Sequence, residues 1–163
     1  MTITNVTLTT ADFRQPADRL ALQQLMQHYA CDAMGGGTPL TDQVLQALPD
    51  LLASYPGSFS AIAWCDGEAV GLINCFESLS TFKAKPLLNI HDVVVTQQCR
   101  GRGVSRLLLA AVEAEARRRG CCKLTLEVLS GNHRAQQVYH TFGFIGYELN
   151  PDCGQAVFME KPL

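Results

Sequence analysis

The sequence predicts an α/β fold: a central mixed, mostly antiparallel sheet of six to seven strands flanked by about four helices. Three observations carry this prediction. Apolar residues at helical spacing alternate along the chain with short β-branched runs. An Asp66-Gly67 pair separates two such runs as a hairpin turn would. Finally, a strand-like run at Leu87 to Val95, a helix after Gly103 and an alternating run at Lys123 to Leu129 follow one another, which is the signature of a crossover between parallel strands. With 163 residues, 47% hydrophobic and 17% charged, the chain has the size and composition of one globular domain, read as spanning residues 1–163.

Taken in order, Thr4 to Thr9 reads as a first strand. Pro16 to Cys31 reads as a helix, with Leu20, Leu22, Leu25 and Met26 on one face and Gly35-Gly36-Gly37 ending it. A second helix runs from Thr41 to Tyr55, where Asp42 suits the positive end of the dipole. Ser58 to Cys65 and Ala69 to Ser78 form the hairpin. Leu87 to Val95 (LLNIHDVVV) is apolar enough for a central strand, with His91 and Asp92 as polar exceptions. Consecutive strand residues point to opposite faces, so at most one of that pair is expected to look into a given cleft. The next helix carries Val104, Leu107, Leu108, Ala111 and Val112 on its apolar face and the pairs Glu113–Arg117 and Glu115–Arg119 on the other, and Gly120 stops it. A short helix from about Asn132 to Phe142 and two last strands, Phe144 to Leu149 and Gln155 to Glu160, complete the chain.

The turn QCRGRGVSR at Gln98 to Arg106 sets two glycines and three arginines where a strand gives way to a helix. A helix start presents unpaired N–H groups and a positive dipole end, and glycine lets an anion approach the main chain, so phosphate is the first candidate ligand. A P-loop is excluded because its second glycine and its lysine are missing. A dinucleotide fingerprint is excluded by Arg106, where glycine or alanine is required, and a nucleophile elbow by Leu107. A lone G-x-G is as compatible with a tight turn as with an anion site.

The run Val95-x-x-Gln98-x-x-Gly101-x-Gly103, the strand Leu126-Glu127-Val128 and the run Asn132-x-x-Ala135-x-x-x-Tyr139-x-x-x-Gly143-Phe144 closely resemble the two signature segments of the Gcn5-related N-acetyltransferases. The resemblance covers Leu87 to Phe144 and implies acetyl-coenzyme A as cosubstrate, with the parallel strand pair around its site. It places the pyrophosphate on Gln98, Arg100, Gly101, Arg102, Gly103, Val104 and Ser105, and the pantetheine arm on the backbone of Val93, Val94 and Val95. It turns Asn132 and Tyr139 towards the thioester, with Ala135 leaving room for the cofactor. Residue chemistry agrees: N–H groups of Gly101, Gly103 and Val104 suit the pyrophosphate, and Arg100 or Arg102 suits the 3'-phosphate. No metal is needed.

The implied reaction is attack of a neutral amine on a thioester. An alkyl amine with a pKa near roughly 10 must first lose a proton to a base, directly or through water. Glu127 is the first candidate, since it lies on the strand beside the cofactor strand and its place twelve positions before Tyr139 is a spacing the family resemblance implies for the base, although it is equally placed to pair with Lys123 on the strand surface. Asp92 and His91 are the alternatives. Tyr139 is the expected acid for the departing thiolate, and its ring can also pack on Phe142 or Phe144. Asn132 doubles as a cap for the helix that follows it.

The function expected is therefore an acetyl-CoA-dependent N-acetyltransferase acting on a primary amine of a small molecule or peptide; a non-catalytic acyl-CoA-binding module is the alternative. Residues 1–87 carry four basic against eight acidic side chains, and residues 88–163 nine against seven, so an anion belongs to the second half and a cationic acceptor to the first. A net charge of −2 gives no reason to expect nucleic acid. No apolar run approaches the roughly 18–20 residues that span a bilayer. Seven cysteines without a C-x-x-C pair suit reduced thiols and a cytoplasmic setting, and a homodimer is the expectation left open.

Overall fold

The computed structural model describes residues 5–147, 150, 152, 154 and 156–163. Its contacts divide the chain into two compact units, Met1–Leu126 and Glu127–Leu163.

In the first unit, β1 (Val6–Thr10), β2 (Ser58–Cys65), β3 (Glu68–Ser80), β4 (Lys85–Val95) and β5 (Leu124–Leu126) form one sheet in sequential order. The first four strands are antiparallel, and β5 lies parallel to β4. Helix α1 (Pro16–Cys31) opens on a proline, whose fixed φ suits a first turn. Helix α2 (Asp42–Ser54) is capped by Thr41, whose hydroxyl accepts from Val44 N–H. Phe13, Leu22, Leu25 and Leu52 bury one face of the sheet through Ile62, Leu72 and Val94. Helix α3 (Val104–Arg118) covers the other face, with Val104, Leu108, Leu109 and Val112 buried against β2, β3 and β4. A Cβ on Gly71 would stand 2.9 Å from Val104 Cγ1, so the start of α3 sits directly on β3 because residue 71 has no side chain.

The hairpin between β2 and β3, the crossover from β4 through α3 to β5, and all four helices stand where the sequence places them. The strand count does not: five strands are seen among the described residues, against six to seven expected. Alternation makes a strand possible, but a ladder needs a partner, and β5 pairs with β4 only over Leu88–Leu124 to Ile90–Leu126. The expected strand at Lys123 to Leu129 is cut to three residues accordingly. Residues 144–147 and 156–160 are not in strands, while Glu148, Leu149 and Gln155 lie outside the described residues.

In the second unit, helix α4 (His133–Phe142) starts at Asn132, whose side-chain oxygen accepts from Ala135 N–H at 3.1 Å. It ends at Gly143, where φ is 107° and the N–H groups of Gly143 and Phe144 return to the carbonyls of His140 and Tyr139. Tyr139 meets Phe144 edge-on, with centroids 5.8 Å apart.

Cys31, Cys65, Cys75, Cys99, Cys121 and Cys122 are free thiols, and Cys153 lies outside the described residues. Among the described residues no helix is long and apolar enough to cross a membrane.

Candidate active site

Two features of the first unit meet on β4. The first is a backbone edge of β4 that no strand among the described residues pairs beyond Ile90. The β4–β5 ladder stops at Ile90–Leu126, while β4 runs on to Val95. Thr96 N–H donates to Val70 O on β3, and paired residues alternate between the two edges of a strand. The polar groups of Val93 and Val95 are therefore turned away from β3, towards the side that β5 has already left. Val94 lies opposite Leu72 with its side chain in the core.

The open edge leads into the glycine turn. Gly101 and Gly103 have φ of 78° and 87°, left-handed values that favour glycine, and Gly103 is the N-cap of α3. No side chain caps that end, no acidic residue stands in its first turn, and Arg106 occupies it instead. Cations there oppose the helix dipole, so an anion would offset both. Gln98, Gly101, Arg102 and Gly103 are exposed, Ser105 is half-buried, and Val104 is buried. A Cβ on Gly103 would meet nothing within 4 Å among the described residues, so the turn is open on that side.

Arg100 is engaged elsewhere. Its Nε donates to Val95 O (3.0 Å), and Nη2 pairs with Asp32 Oδ2 at 2.7 Å, tying the turn to the residue that ends α1. Asp32 is held below the usual carboxylate range by Met34 N–H first and by Arg100 second. Arg102 remains exposed beside the glycines.

The second feature lies on the α1 face. The β3–β4 register slips between Asn74–Asp92 and Cys75–Ile90, which makes His91 the extra residue of a β-bulge. Asp92 stands opposite Asn74, and the His91 ring packs edge-on to Phe76, two residues along the same face of β3, with centroids 5.5 Å apart. Both polar residues thus look to one face. This corrects the expectation that alternation admits only one of them, because a bulge breaks the alternation. Phe76 in turn meets Tyr55 at 5.4 Å. Asn74 Nδ2 donates to Asp92 Oδ2 (3.0 Å) and touches Met26 Sδ (3.5 Å), while Ser60 Oγ donates to Asn74 Oδ1 (2.7 Å). Burial raises the Tyr29 hydroxyl pKa, and Asp92 and then Asp32 raise it further. Burial also raises the Cys75 thiol, with Asp92 adding to it. Among the described residues no cation pairs with Asp92.

The remaining expected residues belong to the second unit. Glu127 is exposed at its start, Asn132 and Ala135 form the first turn of α4, and Tyr139 is half-buried two turns along. Sequence reasoning missed Ser60, Asn74, Tyr29, Tyr55 and Phe76. One signal was available: Asn74 interrupts the apolar run GLINCF. Among the described residues no group of His, Cys, Asp and Glu is arranged to hold a metal.

Residues 22–144 match the family described as the Acetyltransferase (GNAT) family. The chain belongs to that family. As a member it is an N-acetyltransferase, and its α/β fold with a parallel strand pair is the family's. This acetyltransferase is 30% identical over 151 residues to an aminoglycoside N(6')-acetyltransferase type 1 of Stenotrophomonas maltophilia, covering 91% of this chain and 90% of the relative. Among solved structures it resembles AAC(6')-Iy in complex with a bisubstrate analogue, CoA-S-monomethyl-acetylneamine, with a TM-score of 0.78 and 18% identity over 98% of this chain and all of that one. It resembles a transcriptional regulator of Bacillus halodurans C-125 equally well, at a TM-score of 0.79 and 18% identity over 96% of this chain and all of the other. At those identities the likeness is one of fold.

Proposed function

We propose that this acetyltransferase, working as one domain over residues 1–163 in the cytoplasm, transfers the acetyl group of acetyl-coenzyme A to a primary amine of a small, multiply cationic acceptor of the aminoglycoside kind. The observation that carries the reading is the edge of β4 that β5 leaves at Val93 and at the Val95 N–H, Val95 O being taken by Arg100, running into an uncapped, glycine-started helix without an acid in its first turn. An amide-bearing arm fits such an edge, and a pyrophosphate fits such a helix start. The acceptor class is supported by the Stenotrophomonas maltophilia relative and by the acid and aromatic rings on the α1 face.

When bound, coenzyme A supplies the acetyl thioester. The N–H groups of Gly101, Gly103, Val104 and Ser105 hold its pyrophosphate, and Arg102 reaches its 3'-phosphate, while Arg100 braces the turn against Asp32. Asp92 is the base this reading prefers, because it has an orienting donor and no competing cation among the described residues, whereas Glu127 is exposed. The acceptor enters as an ammonium, and one proton passes to Asp92, directly or through water. The freed lone pair bonds to the acetyl carbon, the C–S bond breaks, and sulfur leaves with its electrons. The second nitrogen proton passes to water as the amide forms, the Tyr139 hydroxyl gives its proton to sulfur, and the resulting tyrosinate takes a proton back from water. Tyr139 is supported by its spacing, seven residues or about two turns after Asn132.

The test is incubation with acetyl-coenzyme A and a panel of amines that includes aminoglycosides, polyamines and peptides. Release of free thiol, matched by an acceptor one acetyl group heavier, is the expected result. Coenzyme A binding without thiol release from any acceptor would make the chain a binding module instead.

A further inference from the structure

We infer that Ser60 and Asn74 form a buried positioning relay that sets the Asp92 carboxylate towards the ammonium of the acceptor. The inference rests on the acetyltransferase reading above and assigns work to two residues that no motif covers. Asn74 is 1% exposed and Ser60 5%, on a sheet face otherwise built of Ile62, Leu72 and Val94. A buried amide or hydroxyl without partners is destabilising, and apolar residues would fill this face without that liability. The polar pair is fully engaged, and its bonds have a direction. A hydroxyl donates to the Asn74 oxygen, which leaves the amide NH2 to face outward. An NH2 group only donates, so Asp92 Oδ2 is the acceptor and is held in one place. The Met26 thioether closes the other side of the amide from α1.

The relay ends where a base is needed. Asp92 is half-buried beside the His91 bulge, with Phe76 and Tyr55 continuing along the face. A base must stand within about 2.6–3.2 Å of the proton it takes, and a displacement of roughly 1 Å can cost on the order of 100-fold. A carboxylate on a free χ1 would wander by more than that. Asn74 touches Asp92 and Ser60 touches Asn74, so they act through Asp92 and are positioning residues.

The experiment is a double-mutant cycle of Asn74→Leu and Asp92→Asn, with Ser60→Ala as the milder variant in case Asn74→Leu folds poorly. Two readouts are used: kcat/KM for acetylation of neamine, and calorimetric titration of neamine into the coenzyme A-saturated protein. Asn74→Leu is expected to lower kcat/KM on the order of 10- to 100-fold with KM for acetyl-coenzyme A unchanged, and to weaken neamine binding about tenfold. Ser60→Ala should move both in the same direction by less. In the Asp92→Asn background neither substitution should cost more than about threefold further, since the group they position is gone. Losses that add fully in that background, or variants that behave as wild type in both readouts, overturn the relay. A wild-type protein that acetylates no amine, yet shows the cycle in titration, overturns the catalytic reading and leaves the relay standing.

Discussion

Tyr139 holds its ring edge-on to Phe144, so its aromatic body has a packing role of its own and any catalytic role belongs to the hydroxyl. Tyr139→Phe separates the two. A phenol near roughly pKa 10 can give a proton to a thiolate whose conjugate acid lies near roughly 8.5. The substitution is therefore expected to lower kcat on the order of 100-fold, with coenzyme A affinity and melting temperature little changed. Full turnover at saturating acetyl-coenzyme A, with chemistry shown to be rate-limiting, would leave Tyr139 as packing. Asp92 and His91 are the complementary case, since their identities could be read from the chain but their shared face could not. One extra residue in β4 decides it, and nothing in LLNIHDVVV marks where a bulge will fall.

Helix α3 is held to the hairpin by one cluster at its C-terminal end. Glu115 accepts from Arg118 and Arg119, and Arg119 reaches the carbonyls of Gly57 and Ser58 and the Glu77 carboxylate. The sequence shows the Glu115–Arg119 pair as an ordinary four-residue helix contact; only the packing of the helix end on β2 makes it a tie between elements. Hydrogen bonding from Arg118 first, and from Arg119 next, pulls the Glu115 pKa down to about 2 against a partly opposing burial. A carboxylate depressed in the folded state stabilises above its unfolded pKa, and that stability is lost as pH falls towards the folded value. Glu115→Gln is expected to cost about 1–2 kcal/mol at pH 7, or a few degrees in Tm, with the deficit against wild type shrinking between about pH 4.5 and pH 2. Thermal melts across that range check it, and a deficit independent of pH would remove the ion pair from the account.

At the scale of the whole molecule, cofactor binding should appear as stability. A ligand at 100 times its Kd stabilises by about 2.7 kcal/mol, which for a chain of this size is roughly 5–10 °C in Tm. Coenzyme A should produce this shift and adenosine far less. Gly103→Val should lose it, because the side chain enters the open side of the turn. The substitution should also lower the ligand-free Tm, since valine at φ 87° is strained by roughly 1–3 kcal/mol. Equal ligand-induced shifts in both proteins would remove the phosphate from this loop.

The fold was legible in the chain wherever a local rule decides it. The Pro16 start of α1, the Asn132 cap, the Asp66-Gly67 turn and the strand–helix–strand order around Gly101 and Gly103 each follow from the conformations those residues permit. The glycine turn and the second signature segment likewise carried the family in residues near one another in sequence. The residues proposed for the acceptor side were not legible, because they meet only through strand register. Ser60, Asn74 and Asp92 come from three strands and line up only when β2, β3 and β4 pair with a bulge at His91. The same holds for the Arg100 ion pair with Asp32, 68 residues away, which no local pattern announces. Local conformational preference and motif spacing are properties of the sequence, whereas the partner of a long polar side chain is chosen by which surfaces the folded chain brings together.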